Sequence, residues 1–135
     1  MKMKMIIGLL LIASVPACTF GKNAGRWTVA QRPEGAAVEV ITRNGQLNAE
    51  LLEVADNGVV LMRNDGKLVL APYPVIERFR APQQGSGYQF GSRMPPTLEV
   101  REKLMMVSHF PQGMTAEIRS RLLERASQTE LLVLQ

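Results

Sequence analysis

The chain has 135 residues, which is enough for one modest domain with tails. Hydrophobic residues make up 46% and charged residues 21%, a globular composition that argues against disorder throughout. The formal charge is +4, but without Lys2 and Lys4 it falls to +2 with interspersed signs, which argues against a basic groove for nucleic acid.

The first 17 residues predict a signal peptide for export. Lys2 and Lys4 form a positive n-region, and residues 6–12 form an apolar h-region. Ala17, with Val15 two positions before it, provides a small-residue cleavage site. The apolar run is too short to cross a bilayer, which needs about 20 residues. We therefore expect residues 1–17 to be removed by cleavage after Ala17.

The segment "SVPAC" at 14–18 resembles the lipobox of bacterial lipoproteins, with Pro16 standing where Ala, Ser or Thr is usual. The resemblance implies that Cys18 becomes the first mature residue, with a diacylglycerol on its sulfur and an acyl chain on its amine. It also implies a cell-envelope protein whose partner is the membrane, reached through this lipid anchor. Thr19 follows the cysteine where Asp would favour the inner membrane, so the outer membrane is the favoured location.

Other interpretations of the same segment stay open. Cys18 is the single cysteine, so an intramolecular disulfide has no second thiol. Plain export without lipid and an uncleaved cytoplasmic chain are the two alternatives to lipidated export.

Residues 18–35 show no sustained periodicity and predict a lipidated N-terminus and tether. Trp27 is the exception within it. A lone Trp is expected to pack on the domain, with a partner contact or the lipid interface as the alternative.

Residues 36–82 predict a small β-barrel domain. Short β-rich runs are separated by turn signals at Asn44-Gly45, at 56–58 and at 64–66, which indicates an antiparallel meander of five strands. Leu51 and Leu52 are adjacent, which breaks the period of two and predicts a bulge or bend in the second strand. Because a flat sheet this small buries little apolar surface, closure into a five-stranded barrel is expected.

The stretch 38–79 resembles small Sm-like and Src-homology-3-like barrels in its strand lengths and turns. That resemblance implies a fold and no activity. Asp56 and Asn57 are at best a weak match to the RNA-binding Asp and Asn of the Sm loop, and the later "RG" loop is absent. No nucleic-acid partner is therefore expected. The predicted class is mainly β with one C-terminal helix.

Residues 83–96 are rich in Gly, Ser, Gln and Pro and predict a linker or loop. Tyr88 and Phe90 alternate within it, either to hold this loop on the domain or to contact a partner. Residues 97–135 form a C-terminal extension, in which 97–110 is compatible with helix or strand. A helix is predicted over about 115–127, with Thr115 as its N-cap. The closing "ELLVLQ" is expected to pair with the barrel or pack on it.

The sequence lacks the common catalytic and metal-binding patterns. One Cys and one His cannot build the common zinc sites, and no phosphate-binding loop or nucleophile elbow occurs. His109 is expected to be a surface or cap residue, and Ser108 beside it a chance neighbour. The sequence therefore predicts no enzyme, cofactor or metal, but an envelope lipoprotein that acts as a protein–protein adaptor or scaffold. An Sm-like nucleic-acid binder and a small envelope enzyme are the alternatives, and the partner and oligomeric state stay open.

Overall fold

The computed structural model describes residues 35–135. Within this range the chain forms one seven-stranded sheet and two α-helices. The strands are β1 (Ala37–Thr42), β2 (Gly45–Val54), β3 (Gly58–Arg63), β4 (Leu68–Pro72), β5 (Arg78–Arg80), β6 (Gln89–Gly91) and β7 (Leu132–Val133). The helices are α1 (Leu98–Val107) and α2 (Ala116–Arg125).

The first four strands form an antiparallel meander with turns at the predicted Asn/Asp-Gly positions. Thr42 pairs with Gly45 across the first turn, and Asn44 N–H donates to Thr42 Oγ1 at 3.1 Å. Gly66 adopts a φ of 86°, a left-handed conformation that costs glycine little. These turns are local, which is why the sequence alone predicts them.

The sheet is open, and the predicted five-stranded closed barrel is wrong. The strand order within the described residues is β6-β5-β1-β2-β3-β4-β7, so β4 pairs with β7 and the two ends of the sheet do not join. The sheet is also mixed, because β7 runs parallel to β4. Closure is replaced by other means of covering apolar surface: helices pack on the sheet, and the short strands β6 and β7 extend its two edges. The mainly β class with a C-terminal helix is the part of that prediction that the structure retains.

A bulge divides β2 where the sequence predicted one. The β2–β3 register shifts between Leu51 and Glu53. Leu51 belongs to the main core, whereas Leu52 belongs to a second core. The bulge thus allows two adjacent leucines to be buried in different clusters.

The main core contains most of the buried residues of the sheet together with Leu104 of α1. Its fully buried larger side chains are Val38, Val40, Leu51, Val59, Leu61, Ile76, Phe79 and Leu104. The second core is centred on Leu52, Val60 and Leu68. Residues of α2 and its flanks pack against it: Phe110, Met114, Leu122, Leu123, Ala126 and Leu131.

The ambiguous stretch 97–110 is mainly the helix α1. Thr97 caps it by accepting a hydrogen bond from Val100 N–H at 3.3 Å. Val100, Leu104 and Val107 contact the main core at helical spacing, while Leu98 is exposed. The helical period therefore accounts for this segment better than strand alternation does.

Thr115 caps α2 as predicted, accepting from Ile118 N–H at 3.1 Å. The C-terminal end of α2 forms a Schellman motif, in which Ser127 N–H bonds Glu124 O and Gln128 N–H bonds Leu123 O. Ser127 has a φ of 59°, so a serine takes the left-handed position usually occupied by glycine. This turn directs the following residues towards β4.

Candidate functional site

The buried and half-buried carboxylates hold separate segments of the fold together. Glu50 Oε2 accepts from Gly35 N–H at 2.7 Å and lies 2.9 Å from His109 Nδ1. Glu53, whose side chain is 14% exposed, accepts from Met114 N–H and Arg119 Nη2, each at 3.2 Å. Each carboxylate thus joins β2 to a distant part of the chain, which is a structural role.

Ser108 and His109 do not form a catalytic pair. The Ser108 hydroxyl donates to Met105 O at 2.7 Å and closes the end of α1. The His109 ring stacks on Phe110 with centroids 4.3 Å apart, and its Nδ1 faces Glu50. The interactions of His109 match the predicted cap or surface role.

Tyr73 and Arg101 form a polar cluster at the β2–β3 turn. The Tyr73 hydroxyl donates to Ala55 O at 2.7 Å, and Arg101 Nη2 donates to Asp56 Oδ1 at 2.8 Å. Burial raises the pKa of Tyr73, and the hydrogen bond that Arg101 donates to Asp56 raises the pKa of Arg101. Both shifts favour the ordinary protonated forms, so neither group is prepared for proton transfer at neutral pH.

Tyr88 and Phe90, expected either to hold their loop on the domain or to contact a partner, pack against the domain. Phe90 lies in β6 and stacks on Phe79 with ring centroids 4.7 Å apart. Tyr88 is half-buried against the main core, with Lys103 Nζ 5.9 Å from its ring centroid. The structure therefore places both rings where they hold their own segment on the sheet.

Three other predicted site residues, Ala17, Cys18 and Trp27, lie outside the described residues. The cleavage, lipidation and partner roles assigned to them stay predictions.

Among residues 35–135, no three His, Cys, Asp or Glu side chains are grouped so as to hold a metal ion. In the same range every buried side-chain nitrogen or oxygen has a hydrogen-bond partner. A surface cavity of about 230 Å³ brings together Arg43, Glu77 and Arg93, but Arg93 already pairs with Glu77 at 3.2 Å. Glu77 and Arg93 therefore pair with each other within this cavity.

The candidate site is the outer edge of β4. The C-terminal tail, residues 128–135, covers this edge. The Gln128 side chain reproduces a strand's pairing, because its Oε1 accepts from Leu68 N–H at 2.7 Å and its Nε2 donates to Leu68 O at 3.0 Å. β7 then places Leu132 beside Val69 and Val133 beside Leu70. Leu134 N–H donates to Leu70 O at 3.0 Å.

The outer two of the four apolar side chains in the tail are packed, and the middle two are exposed. Leu131 packs on the second core and Leu134 on the main core. Leu132 and Val133 between them are 43% and 49% exposed. The tail ends near the β1–β2 turn, where Asn44 Nδ2 donates to the backbone oxygen of Gln135 at 2.9 Å.

The sequence predicted that the terminal "ELLVLQ" pairs with the barrel or packs on it; β7 pairs with β4 of the open sheet instead of a barrel. Sequence reasoning missed Gln128, because no local pattern distinguishes a glutamine that pairs with a backbone from one that faces water. Three further large apolar side chains, Met94, Leu98 and Met106, are more than half exposed.

No helix within residues 35–135 combines the length and hydropathy needed to cross a membrane. Comparison with protein-family models, curated proteins and solved structures gave no match.

Proposed function

We propose that this chain is a lipid-anchored envelope protein that acts, without catalysis, as an adaptor for another protein. The observation that carries the proposal is the "SVPAC" segment at 14–18, preceded by two lysines and an apolar run. Several acyl chains on Cys18 would hold a small domain at a membrane, because each buried CH₂ contributes about 0.8 kcal/mol.

The distance available to the domain follows from the tether length. Seventeen peptide units separate Cys18 from Gly35, the last residue of the predicted tether. A chain of this length can span no more than about 60 Å. Such a domain would meet partners in or close to the same membrane.

The charged surface supports a protein partner rather than a nucleic acid. Arginines spread over the domain are paired with carboxylates: Arg63, Arg80, Arg93, Arg101, Arg119 and Arg121. Paired cations have less free charge to offer to phosphates. Exposed apolar side chains, among them Met94, Leu98 and Met106, are instead available for contact with a protein.

Metabolic labelling with an alkyne fatty acid tests the anchor. Wild type should be labelled and should fractionate with membranes, whereas Cys18→Ser should lose both properties. Thr19→Ser is the matched control, since it changes a neighbour and leaves the thiol, and it should behave as wild type. Unchanged labelling in Cys18→Ser would exclude the anchor.

Photo-crosslinking in cells tests the adaptor role. A photoreactive residue at Met94, Leu98 or Met106 should give a discrete protein adduct. The same residue at Ser120 or Glu124, which are exposed polar positions of α2, should give none. The absence of an adduct at every apolar position would contradict an adaptor.

A further inference from the structure

The β4 edge combines a buried strand with an occupant whose strand ladder is only two residues long. Leu68, Val69 and Ala71 are fully buried, so the strand itself is fixed by the two cores. The tail contributes only two residues to the ladder, and both of their side chains are about half exposed. Detaching the tail from β4 therefore exposes little additional apolar surface of Leu132 and Val133.

The edge nevertheless needs an occupant. Without the tail, Leu68 N–H, Leu68 O and Leu70 O lose the partners they have in the structure. Leu134 also forms part of the wall of a surface recess of about 150 Å³, together with Val40 and Leu47. An edge that has exposed pairing groups and an adjacent apolar recess accepts another extended strand.

We propose that the β4 edge is a docking site for an extended segment of a partner protein, and that the chain's own tail is its resident occupant. The partner segment would run parallel to β4, as β7 does. It would carry two apolar residues three positions apart, matching Leu131 in the second core and Leu134 in the main core. This inference deepens the adaptor function and rests on it.

The tail acts as an intramolecular competitor in this scheme. A partner strand binds only to molecules whose edge is free, so its apparent affinity falls in proportion to the fraction that is open. Any change that loosens the tail without altering β4 should therefore tighten binding of an added strand.

The test uses the full chain in detergent and a fluorescent peptide of residues 129–135, TELLVLQ, as the probe. Two variants should release the tail: Gln128→Ala, which removes the amide pairing, and Leu134→Ser, which weakens the apolar contact. Leu132→Ser is the matched control, because it changes an outward-facing residue of the same tail. The control peptide carries serine in place of both Leu131 and Leu134.

Both release variants should bind the probe at least tenfold more tightly than wild type, measured by fluorescence anisotropy. Leu132→Ser should bind it as wild type does, and the control peptide should bind to none of the proteins. Hydrogen exchange should show faster exchange of the backbone amide at position 134, which donates to Leu70 O, in the release variants. If Leu134→Ser does not fold, as judged by circular dichroism, Gln128→Ala decides the outcome alone.

Three results would overturn the proposal. The amide at position 134 could be released without any gain in peptide affinity, which would mean that the open edge does not accept a strand. The amide could stay protected in both variants, which would mean that the tail is not the displaceable occupant. Wild type could form dimers by exchanging tails, which would assign the edge to a second copy. None of these outcomes depends on lipidation, so failure of the Cys18 labelling experiment is distinguishable from failure here.

Discussion

Leu51 and Leu52 show how much depends on single residues in this domain. Both are fully buried and adjacent in sequence, but they belong to separate cores because of the bulge in β2. Leu51→Ala and Leu52→Ala should each lower the free energy of unfolding by about 2–5 kcal/mol, because each leaves a cavity. Leu98→Ala, at an exposed position, should change it by less than about 0.5 kcal/mol. Urea unfolding measures all three, and a small loss for Leu52→Ala would contradict a second core.

Asp65 provides a test of electrostatics at the β3–β4 turn. Hydrogen bonds from the Arg63 guanidinium and then from Lys67 N–H lower the pKa of Asp65 to about 2. Since the pKa is lower in the folded state, this carboxylate favours folding above its ordinary pKa, and the contribution is lost as pH falls towards 2. A side-chain NMR titration should show this low pKa, and Arg63→Gln should move it back towards about 4. An unchanged pKa in Arg63→Gln would refute the assignment.

At the scale of elements, what the sequence could predict depends on how local the cause is. The turns at Asn44-Gly45 and Gly66, the β2 bulge and the Thr115 cap arise from residues close in sequence, and each was predictable. The pairing of β5 with β1 and of β7 with β4 joins residues far apart in the chain. Pairing at such distances depends on which surfaces the helices cover, and residue patterns do not record that.

The end of α2 gives a prediction at this scale. Ser127 occupies a left-handed position that costs a non-glycine residue about 1 kcal/mol. Ser127→Gly should therefore raise the free energy of unfolding by up to about 1 kcal/mol. Ser120→Gly, the same change inside α2, should instead lower it by about 0.5–1 kcal/mol. Equal changes in the free energy of unfolding for Ser127→Gly and Ser120→Gly, measured by thermal or urea unfolding, would contradict the assigned role of the Schellman turn.

For the whole molecule, the closed barrel was expected because the apolar faces and edges of a small sheet must be covered. That requirement is correct, but the chain meets it without closing the sheet. A five-stranded meander does need its apolar faces and edges covered. Here α1 and α2 cover the faces, while β6 and the tail extend the edges. The sequence also indicated no catalytic cluster, and the polar groups that sequence reasoning singled out, Ser108 and His109, serve the fold. The candidate docking edge depends on the tail reaching β4, a long-range contact that sequence patterns could only suggest.

The central claim, that this domain works from a membrane anchor, is tested most directly at its N-terminus. The measurement is mass spectrometry of the N-terminal peptide of the protein purified from its native membrane. We predict that the first residue is Cys18, with a diacylglyceryl thioether on its sulfur and an amide-linked acyl chain on its nitrogen. A peptide that begins at Met1, or a mature N-terminus with an unmodified Cys18, would contradict the account.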